Sequence, residues 1–191
     1  MNHLEESTFF TEIIQNTAWL MNILTTLKDI GLTNIYIGAG VIRDVVWGHL
    51  HKRPILEPIS DIDVVFFDLN SQDSKLEIKI KECLTTLFPQ YQWDVTNQAN
   101  VHQWYAEYFN IHVSPLSTLQ EMIATWPETA TSIAIKLSED NTLDIIAPFG
   151  LTDLLNMIIR WNPTRISRGY YEQRIKEKQY VNRWPKVTII Y

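Results

Sequence analysis

SDIDVVFFD, from Ser60 to Asp68, places two carboxylates one residue apart at the start of an apolar run. The apolar centre predicts a strand buried within a sheet, and side chains alternate between the two faces of a strand. Asp61 and Asp63 should therefore point to the same face. Two like charges this close repel each other, and burying either carboxylate without a partner costs free energy. A bound divalent cation would offset that cost. The alternative is a strand end at which both carboxylates are hydrated.

The composition is that of one globular domain with room for a small appendage. The chain has 191 residues, of which 46% are hydrophobic and 20% charged, a balance that can build a core. No apolar run is long enough to span a membrane, and MNHLEESTFF lacks the basic and apolar regions of a signal peptide. The single cysteine, Cys83, excludes an internal disulfide and a cysteine-based zinc site. We therefore expect a cytoplasmic protein with no membrane partner.

Charge is distributed unevenly along the chain. From Pro163 to Tyr191 there are seven lysines and arginines but only two glutamates, which makes this segment +5 and the remainder −11, for a total of −6. The sequence thus predicts an acidic body over residues 1–162 and a basic helical extension over residues 163–191, packed on the same domain. The extension could contact phosphates, or it could simply be a solvated helix face.

The periodicity predicts an α+β fold, a mixed β-sheet flanked by helices. The expected strands, besides the one that carries the carboxylates, are NIYIG, YQWDVTN, TSIAIKL and TLDIIAP, the last two forming a hairpin. The expected helices are Ser7–Asp29, VIRDVVWGHL, DSKLEIKIKECLTTLF, STLQEMIATW, LTDLLNMIIR and RISRGYYEQRIKEKQY.

NIYIGAGVIRD combines a strand, a glycine turn and a helix start. A helix N-terminus presents unpaired backbone N–H groups, and Gly38 and Gly40 would allow a phosphate to approach them closely. Neither the dinucleotide-binding fingerprint nor the phosphate loop of the common NTPases is present, so a plain turn is the alternative. Arg43 could contact a phosphate or sugar as a planar donor, or it could be a helix-surface residue paired with Asp44.

A third carboxylate is needed if the acidic pair holds metal ions for phosphoryl transfer. Asp94 lies inside the apolar strand YQWDVTN, where it would be hard to explain as a surface residue. Asp144 in TLDIIAP competes for the same role. Asp94 is favoured because the polar residues Asn97 and Gln98 follow it, where they could bind a substrate.

The order of these motifs resembles that of a known superfamily. GAGVIRDVVWG followed by SDIDVVFFD is similar to nucleotidyltransferases typified by DNA polymerase β, and most similar to tRNA CCA-adding enzymes and poly(A) polymerases. The likeness to a small, standalone bacterial nucleotidyltransferase-like family is closer and runs from about Ile35 to Pro185. It rests on WDVTNQANVHQWY, WPETATSIAIKL and APFGLTDLLNMIIRWNP. This sequence has Gly-Ala-Gly where the superfamily has Gly-Gly or Gly-Ser.

The resemblance implies a polymerase β-like nucleotidyltransferase head, with residues 1–162 as the nucleotidyltransferase-like domain. It implies that Gly38 and Gly40 hold the phosphates of a nucleotide, that Asp61 and Asp63 are paired metal ligands, and that Asp94 is the third carboxylate.

We therefore expect an enzyme that uses Mg²⁺ or Mn²⁺ to transfer a nucleoside monophosphate from an NTP to a hydroxyl group. The acceptor could be a small molecule, a protein or an RNA, and the oligomeric state is left open. The expected catalytic and metal-binding residues are Asp61, Asp63 and Asp94, and the expected nucleotide-binding residues are Gly38, Gly40, Arg43 and Asn97. The alternative is a catalytically silent nucleotide-binding or regulatory module of the same fold.

Overall fold

A computed structural model describes residues 2–32, 34–71, 73–109 and 111–191, with only the backbone for residues 106–109. A five-stranded sheet with the order β3-β2-β1-β4-β5 lies at its centre. Its strands are β1 (Tyr36–Gly38), β2 (Ile62–Phe66), β3 (Trp93–Asn97), β4 (Ala134–Leu137) and β5 (Leu143–Ile146). Strands β2 and β3 are parallel, whereas the β1–β2, β1–β4 and β4–β5 pairs are antiparallel. The predicted mixed sheet and the β4–β5 hairpin are confirmed.

Helices and short turns connect these strands. The helices are α1 (His3–Gln15), α2 (Ala18–Asp29), α3 (Gly40–Leu50), α4 (Lys75–Leu87), α5 (Val101–Phe109), α6 (Leu119–Ile123), α7 (Thr152–Leu155), α8 (Arg168–Lys178) and α9 (Tyr180–Arg183). Two 3₁₀ turns cover Gln98–Asn100 and Thr129–Thr131. A second, two-stranded parallel sheet joins β6 (Ile158–Arg160) to β7 (Thr188–Ile190).

The two faces of the central sheet have different surroundings. On one face, Ile37, Ile62 and Ile135 belong to the main hydrophobic core, which also includes the apolar sides of α1 to α4. Because side chains alternate along a strand, the residues between them face the other way. That second face carries a small apolar cluster around Val65 and Ala134, with α6 packed on it. The rest of this face is polar, and the candidate site lies there.

The C-terminal segment packs against the body of the fold. Tyr171, Ile175, Tyr180 and Trp184 are buried and belong to the main core. Strand β7 pairs with β6, which lies on the other side of the expected boundary at residue 162. These contacts fix α8 and α9 relative to the central sheet.

The single helix expected over Ser7–Asp29 is wrong, because two helices occupy this stretch. The first begins early because the Asn2 side chain accepts from the backbone N–H groups of Leu4 and Glu5, completing a capping box. It ends because Asn16 and Thr17 donate side-chain hydrogen bonds to carbonyls of the preceding turn, which competes with helix continuation.

The helix expected over LTDLLNMIIR is also wrong beyond Leu155. Asn156 donates its side-chain amide to the Thr152 carbonyl, and Met157 adopts a positive φ of 55°. The chain then enters β6, whose isoleucines favour an extended conformation and whose partner strand comes from the end of the chain. Among the described residues, no helix combines the length and apolar character that crossing a membrane requires.

Candidate active site

Three carboxylates and a helix start meet at one place on the second face of the sheet. Asp63 on β2 lies directly opposite Asp94 on the parallel neighbour β3, and opposite Gly38 on the antiparallel neighbour β1. Asp61 precedes Asp63 by two residues and shares its face. The structure therefore brings Asp61, Asp63 and Asp94 together on adjacent strands, beside the turn from β1 into α3.

The electrostatic surroundings of Asp63 disfavour its ionised form. Burial, followed by repulsion from Asp61 and then Asp94, raises the pKa of Asp63 to about 7. The backbone N–H of Gly40, which donates to the Asp63 carboxylate, and the nearby Lys178 ammonium only partly offset this. Without further positive charge, ionisation of all three carboxylates is therefore unfavourable in free energy.

Two of the three carboxylates in the acidic cluster are open to solvent. Asp61 and Asp94 are exposed and Asp63 is half-buried. Within the part of the chain that the structure describes, none of the three forms an ion pair with a basic side chain within 4 Å. Across those same residues, no three acidic, histidine or cysteine side chains converge closely enough to form a ready-made metal cage. The donors are nevertheless hard oxygens of the kind Mg²⁺ and Mn²⁺ prefer, and the exposed pair is free to change rotamer.

A cavity of about 440 Å³, here called the carboxylate cavity, opens beside Asp61 and Asp63, whereas Asp94 is not among its lining residues. Asp61, Asp63 and the turn at Ala39 and Gly40 form one wall. The other wall comes from the C-terminal segment and carries three cationic residues, Arg174, Lys178 and Arg183, together with one carboxylate, Glu177. Acidic and basic walls that face each other across a cavity suit a ligand that carries metal ions on one side and phosphate oxygens on the other.

A buried glutamate holds the basic wall in place. Glu128 has no exposed surface, and its carboxylate accepts hydrogen bonds from Thr131, Tyr180 and Arg174. Burial raises the pKa of Tyr180 to about 12, and the charge of Glu128 adds to this increase. Burial opposes the charge of Arg174, but attraction to Glu128 outweighs it and raises the pKa of the guanidinium. Arg174 is thus permanently charged where it borders the cavity.

The two glycines of the turn have different structural roles. A Cβ on Gly38 would lie 2.9 Å from the Trp126 ring and 3.0 Å from the Ile133 carbonyl oxygen, so this glycine allows close packing within the protein. Gly38 does not line the carboxylate cavity, whereas Gly40 does. Between them, Ala39 has φ 56° and ψ −126°, a backbone conformation that favours glycine.

Arg43 combines features of both sequence interpretations. Its guanidinium binds Asp44, with Nη2 to Oδ1 at 2.7 Å, and lies over the rings of Trp47 and Tyr180. The pair is buried rather than on the helix surface. The Arg43 side chain nevertheless lines the carboxylate cavity, where it is accessible to a ligand.

Asn97 does not reach this cavity. It lies at the far end of β3 and is 1% exposed. Its amide binds the backbone of Asp68 and Ser71, and its carbonyl oxygen also accepts from the Ala99 N–H. These bonds hold the loop after β2, so the placement of Asn97 does not favour the expected nucleotide contact.

The competing carboxylate Asp144 lies away from the cluster. It is on β5, at the opposite edge of the sheet from β3. The Tyr36 hydroxyl donates to it at 2.9 Å, and Lys136 lies 3.7 Å away. Asp94, not Asp144, is therefore the neighbour of Asp63.

Sequence analysis missed the individual residues of the basic wall. The charge surplus after Pro163 was the available signal, but it did not show which side chains turn inwards. The spacing of the basic residues indicates part of the answer. Arg174 and Lys178 are four residues apart and therefore share a face of α8. Thr131, one of the polar residues before β4, also lines the carboxylate cavity.

Fold and site together define a nucleotidyltransferase head. A family model described as "Nucleotidyltransferase" matches residues 25–189, and the chain belongs to this family. The chain is 26% identical to a protein whose NMR structure is described as revealing a CCA-adding enzyme head domain. The match has a TM-score of 0.79 and covers 95% of this chain and 94% of that one.

More distant structures share the fold over a part of their length. A CCA-adding enzyme in complex with ATP is 15% identical, with a TM-score of 0.56, and the match covers 95% of this chain and 42% of that one. A tRNA-processing enzyme without ligand is 16% identical with a TM-score of 0.50, covering 88% and 44%. This chain therefore spans less than half the length of these larger enzymes. Comparison with curated proteins gives no match.

Proposed function

We propose that the protein transfers a nucleoside monophosphate from an NTP to a hydroxyl acceptor, with Mg²⁺ or Mn²⁺ held by Asp61, Asp63 and Asp94. The observation that carries the proposal is the alignment of Asp63 with Asp94 on parallel strands, beside a cavity that Asp61 and Asp63 line together with basic residues. Divalent ions in such a site neutralise phosphate charge and lower the pKa of an attacking hydroxyl.

Different side chains would bind different parts of the NTP. In this proposal Lys178 and Arg183 bind the phosphates that leave as pyrophosphate, and the Gly40 turn lies beside the same phosphates. Arg43, which also lines the cavity, contacts the nucleotide. Such charge-assisted bonds are about twice as strong as neutral ones, so a few of them can orient a triphosphate.

The transfer consumes one NTP and one hydroxyl group, and it releases pyrophosphate and a proton. The acceptor hydroxyl oxygen forms a bond to the α-phosphorus, the bond from that phosphorus to the β-phosphate bridging oxygen breaks, and pyrophosphate leaves with the electron pair. In this proposal Asp94 is the carboxylate nearest the acceptor, and it accepts the proton that the hydroxyl loses. An exposed carboxylate in this position is available both to substrate and to solvent, which can carry the proton away.

The proposal is tested by calorimetric titration with a non-hydrolysable NTP and Mg²⁺, together with pyrophosphate release on a panel of acceptors. Asp63→Asn should abolish the Mg²⁺-dependent part of NTP binding, whereas Glu139→Gln, an exposed carboxylate outside the site, should not change it. Asp94→Asn should retain NTP binding but lower transfer at least about 100-fold, as expected for loss of a catalytic acid–base group. Unchanged affinity in Asp63→Asn would refute the metal assignment.

Two lysines of α8, only one of which lines the cavity, provide a matched test of the basic wall. Lys178→Gln should weaken NTP binding about tenfold, the order expected for loss of one charged hydrogen bond. Lys176→Gln is the control. It removes the same charge from the same helix, but Lys176 does not line the cavity. Equal effects of both variants would mean that general electrostatics, not a contact by Lys178, supports binding. NTP binding without pyrophosphate release on any acceptor would favour the silent nucleotide-binding module.

A further inference from the structure

A second cavity, of about 250 Å³, adjoins the acidic cluster on the side of Asp94, and we call it the aromatic cavity. Thr96 lines it, and Thr96 follows Asp94 by two residues on β3, so both side chains point to the same face. Two residues of strand cover roughly 7 Å. A molecule in the aromatic cavity would thus place a substituent within reach of the Asp94 carboxylate.

One helix face links the two cavities. Tyr170, Arg174 and Lys178 are spaced four residues apart on α8, so they form a single stripe along it. Tyr170 lines the aromatic cavity, Lys178 lines the carboxylate cavity, and Arg174 lines both. The two cavities therefore adjoin each other along this stripe of α8 and share Arg174.

The aromatic cavity is suited to a flat ring. Trp104, Tyr105, Trp126 and Tyr170 contribute to its lining, together with apolar residues such as Met122. Trp104 and Tyr170 are 39% and 38% exposed, so parts of both large side chains face solvent. Stacking on aromatic side chains is the usual way in which proteins bind a base removed from a stack, and it tolerates every base.

The charge of this cavity indicates an anionic ligand. Arg165 and Arg174 are its charged lining residues, and no carboxylate lines it among the described side chains. The Arg165 guanidinium lies 5.5 Å from the Tyr105 ring centre and donates to the Ser114 carbonyl, which leaves further N–H donors for a ligand. Burial lowers the pKa of Arg165, with Tyr105 opposing the change, and a bound anion would relieve this cost of burial.

We propose that the aromatic cavity binds the acceptor, and that the acceptor is a nucleotide unit, a base that stacks on Trp104 and Tyr170 with a phosphate bound by Arg165. This inference rests on the proposed transfer function, because it assigns the acceptor side of the same site. A hydroxyl of the bound nucleotide would attack the α-phosphorus of the NTP in the step described above. A free mononucleotide and the 3′ end of a single strand share this chemistry.

The test is equilibrium binding to the full chain, which needs no turnover. AMP, adenosine, a hexa-adenylate and a blocked tyrosine amide are titrated by calorimetry in the presence of saturating non-hydrolysable NTP and Mg²⁺, so that the carboxylate cavity is filled. We expect AMP to bind at least tenfold more tightly than adenosine. If hexa-adenylate binds a further tenfold more tightly than AMP, the acceptor is the end of a single strand. If the two bind with equal affinity, the acceptor is a free mononucleotide.

Two variants separate the ring contact from the phosphate contact. Trp104→Ala should weaken AMP and adenosine alike by about tenfold, as expected for lost stacking. Arg165→Gln should weaken AMP but not adenosine. Their controls are Phe149→Ala, an exposed ring elsewhere, and Arg168→Gln, an exposed arginine three residues further on that pairs with Glu172.

Several outcomes would overturn the inference. These are tighter binding of the tyrosine amide than of AMP, equal binding of AMP and adenosine, or AMP binding that neither variant weakens. Failure of the transfer function has a different signature, namely absence of Mg²⁺-dependent NTP binding by the unmodified protein. If NTP binds and responds to Lys178→Gln while AMP does not bind, the acceptor assignment alone is wrong.

Discussion

The guanidinium of Arg174 on α8 forms an ion pair with Glu128, a residue whose side chain has no exposed surface. This pair joins the C-terminal segment to the stretch that leads into β4. The same arginine borders both the carboxylate and the aromatic cavities. One buried charge therefore positions the wall from which both candidate ligands would be held.

Glu128→Gln should lower the free energy of unfolding by about 3 kcal/mol, because it leaves the partly buried Arg174 without a compensating charge. Urea denaturation at neutral pH measures the change. Glu172→Gln removes the carboxylate of an exposed Arg–Glu pair on the same helix and should cost at most about 1 kcal/mol. Equal costs would mean that the Glu128 pair contributes no more than a surface ion pair.

Asp63→Asn should stabilise the metal-free protein at neutral and alkaline pH. Since burial, Asp61 and Asp94 raise the folded-state pKa of Asp63 to about 7, above its usual value of 3.8, folding disfavours the ionised form. The resulting penalty is absent below about pH 4, grows between pH 4 and 7, and is complete above pH 7. The variant should gain up to about 4 kcal/mol over the native protein across that window.

Chelator-treated protein unfolded in urea at pH 4, 6 and 8 gives the comparison. Glu139→Gln, an exposed carboxylate, should track the native protein at every pH. A difference between Asp63→Asn and the native protein that does not grow from pH 4 to pH 8 would show that Asp63 has an ordinary pKa.

Gly38→Ala should destabilise the fold by about 1–3 kcal/mol, the usual cost of an overpacked site. The added Cβ would meet the Trp126 ring at 2.9 Å and the backbone carbonyl oxygen of Ile133 at 3.0 Å, and the second contact cannot be relieved by a rotamer change. Thermal unfolding measures the effect. Gly169→Ala on α8 adds the same methyl group where nothing lies within 4 Å, and it should be neutral or stabilising.

Ala39→Gly should raise the free energy of unfolding by about 1 kcal/mol. The φ of 56° and ψ of −126° at this residue are costly for alanine, and relief of that strain exceeds the entropy that glycine adds to the unfolded chain. Urea denaturation of the variant tests this. Ala147 does not have a positive φ, so Ala147→Gly should lower the free energy of unfolding. A loss of stability in both variants would rule out strain at Ala39.

Much of the site could be predicted from local pattern. Alternation along β2 placed Asp61 and Asp63 on one face, and the apolar residues around Asp94 identified its strand. The glycine turn before α3 was likewise visible in NIYIGAGVIRD. Each of these inferences depends on residues close together in the chain, whose geometry the backbone periodicity determines.

Three expectations concerned residues whose partners lie far away in the chain. Asn97 follows Asp94 closely, but its amide is engaged by Asp68 and Ser71, some thirty residues earlier. Gly38 belongs to a phosphate-binding pattern, yet its missing side chain makes room for Trp126. The residues after Leu155 were expected to be helical, but a strand from the end of the chain pairs with them.

The sequence by itself determined the strand that carries the acidic pair, the turn beside it and the basic character of the C-terminal segment, because charge and two-residue alternation are local properties. Only the tertiary structure decided that Asp94 lies opposite Asp63, since register between parallel strands is set by the packing of both on the core. It also decided that one stripe of α8 spans both cavities. That placement depends on the burial of Glu128 against Arg174, a contact between residues 46 positions apart.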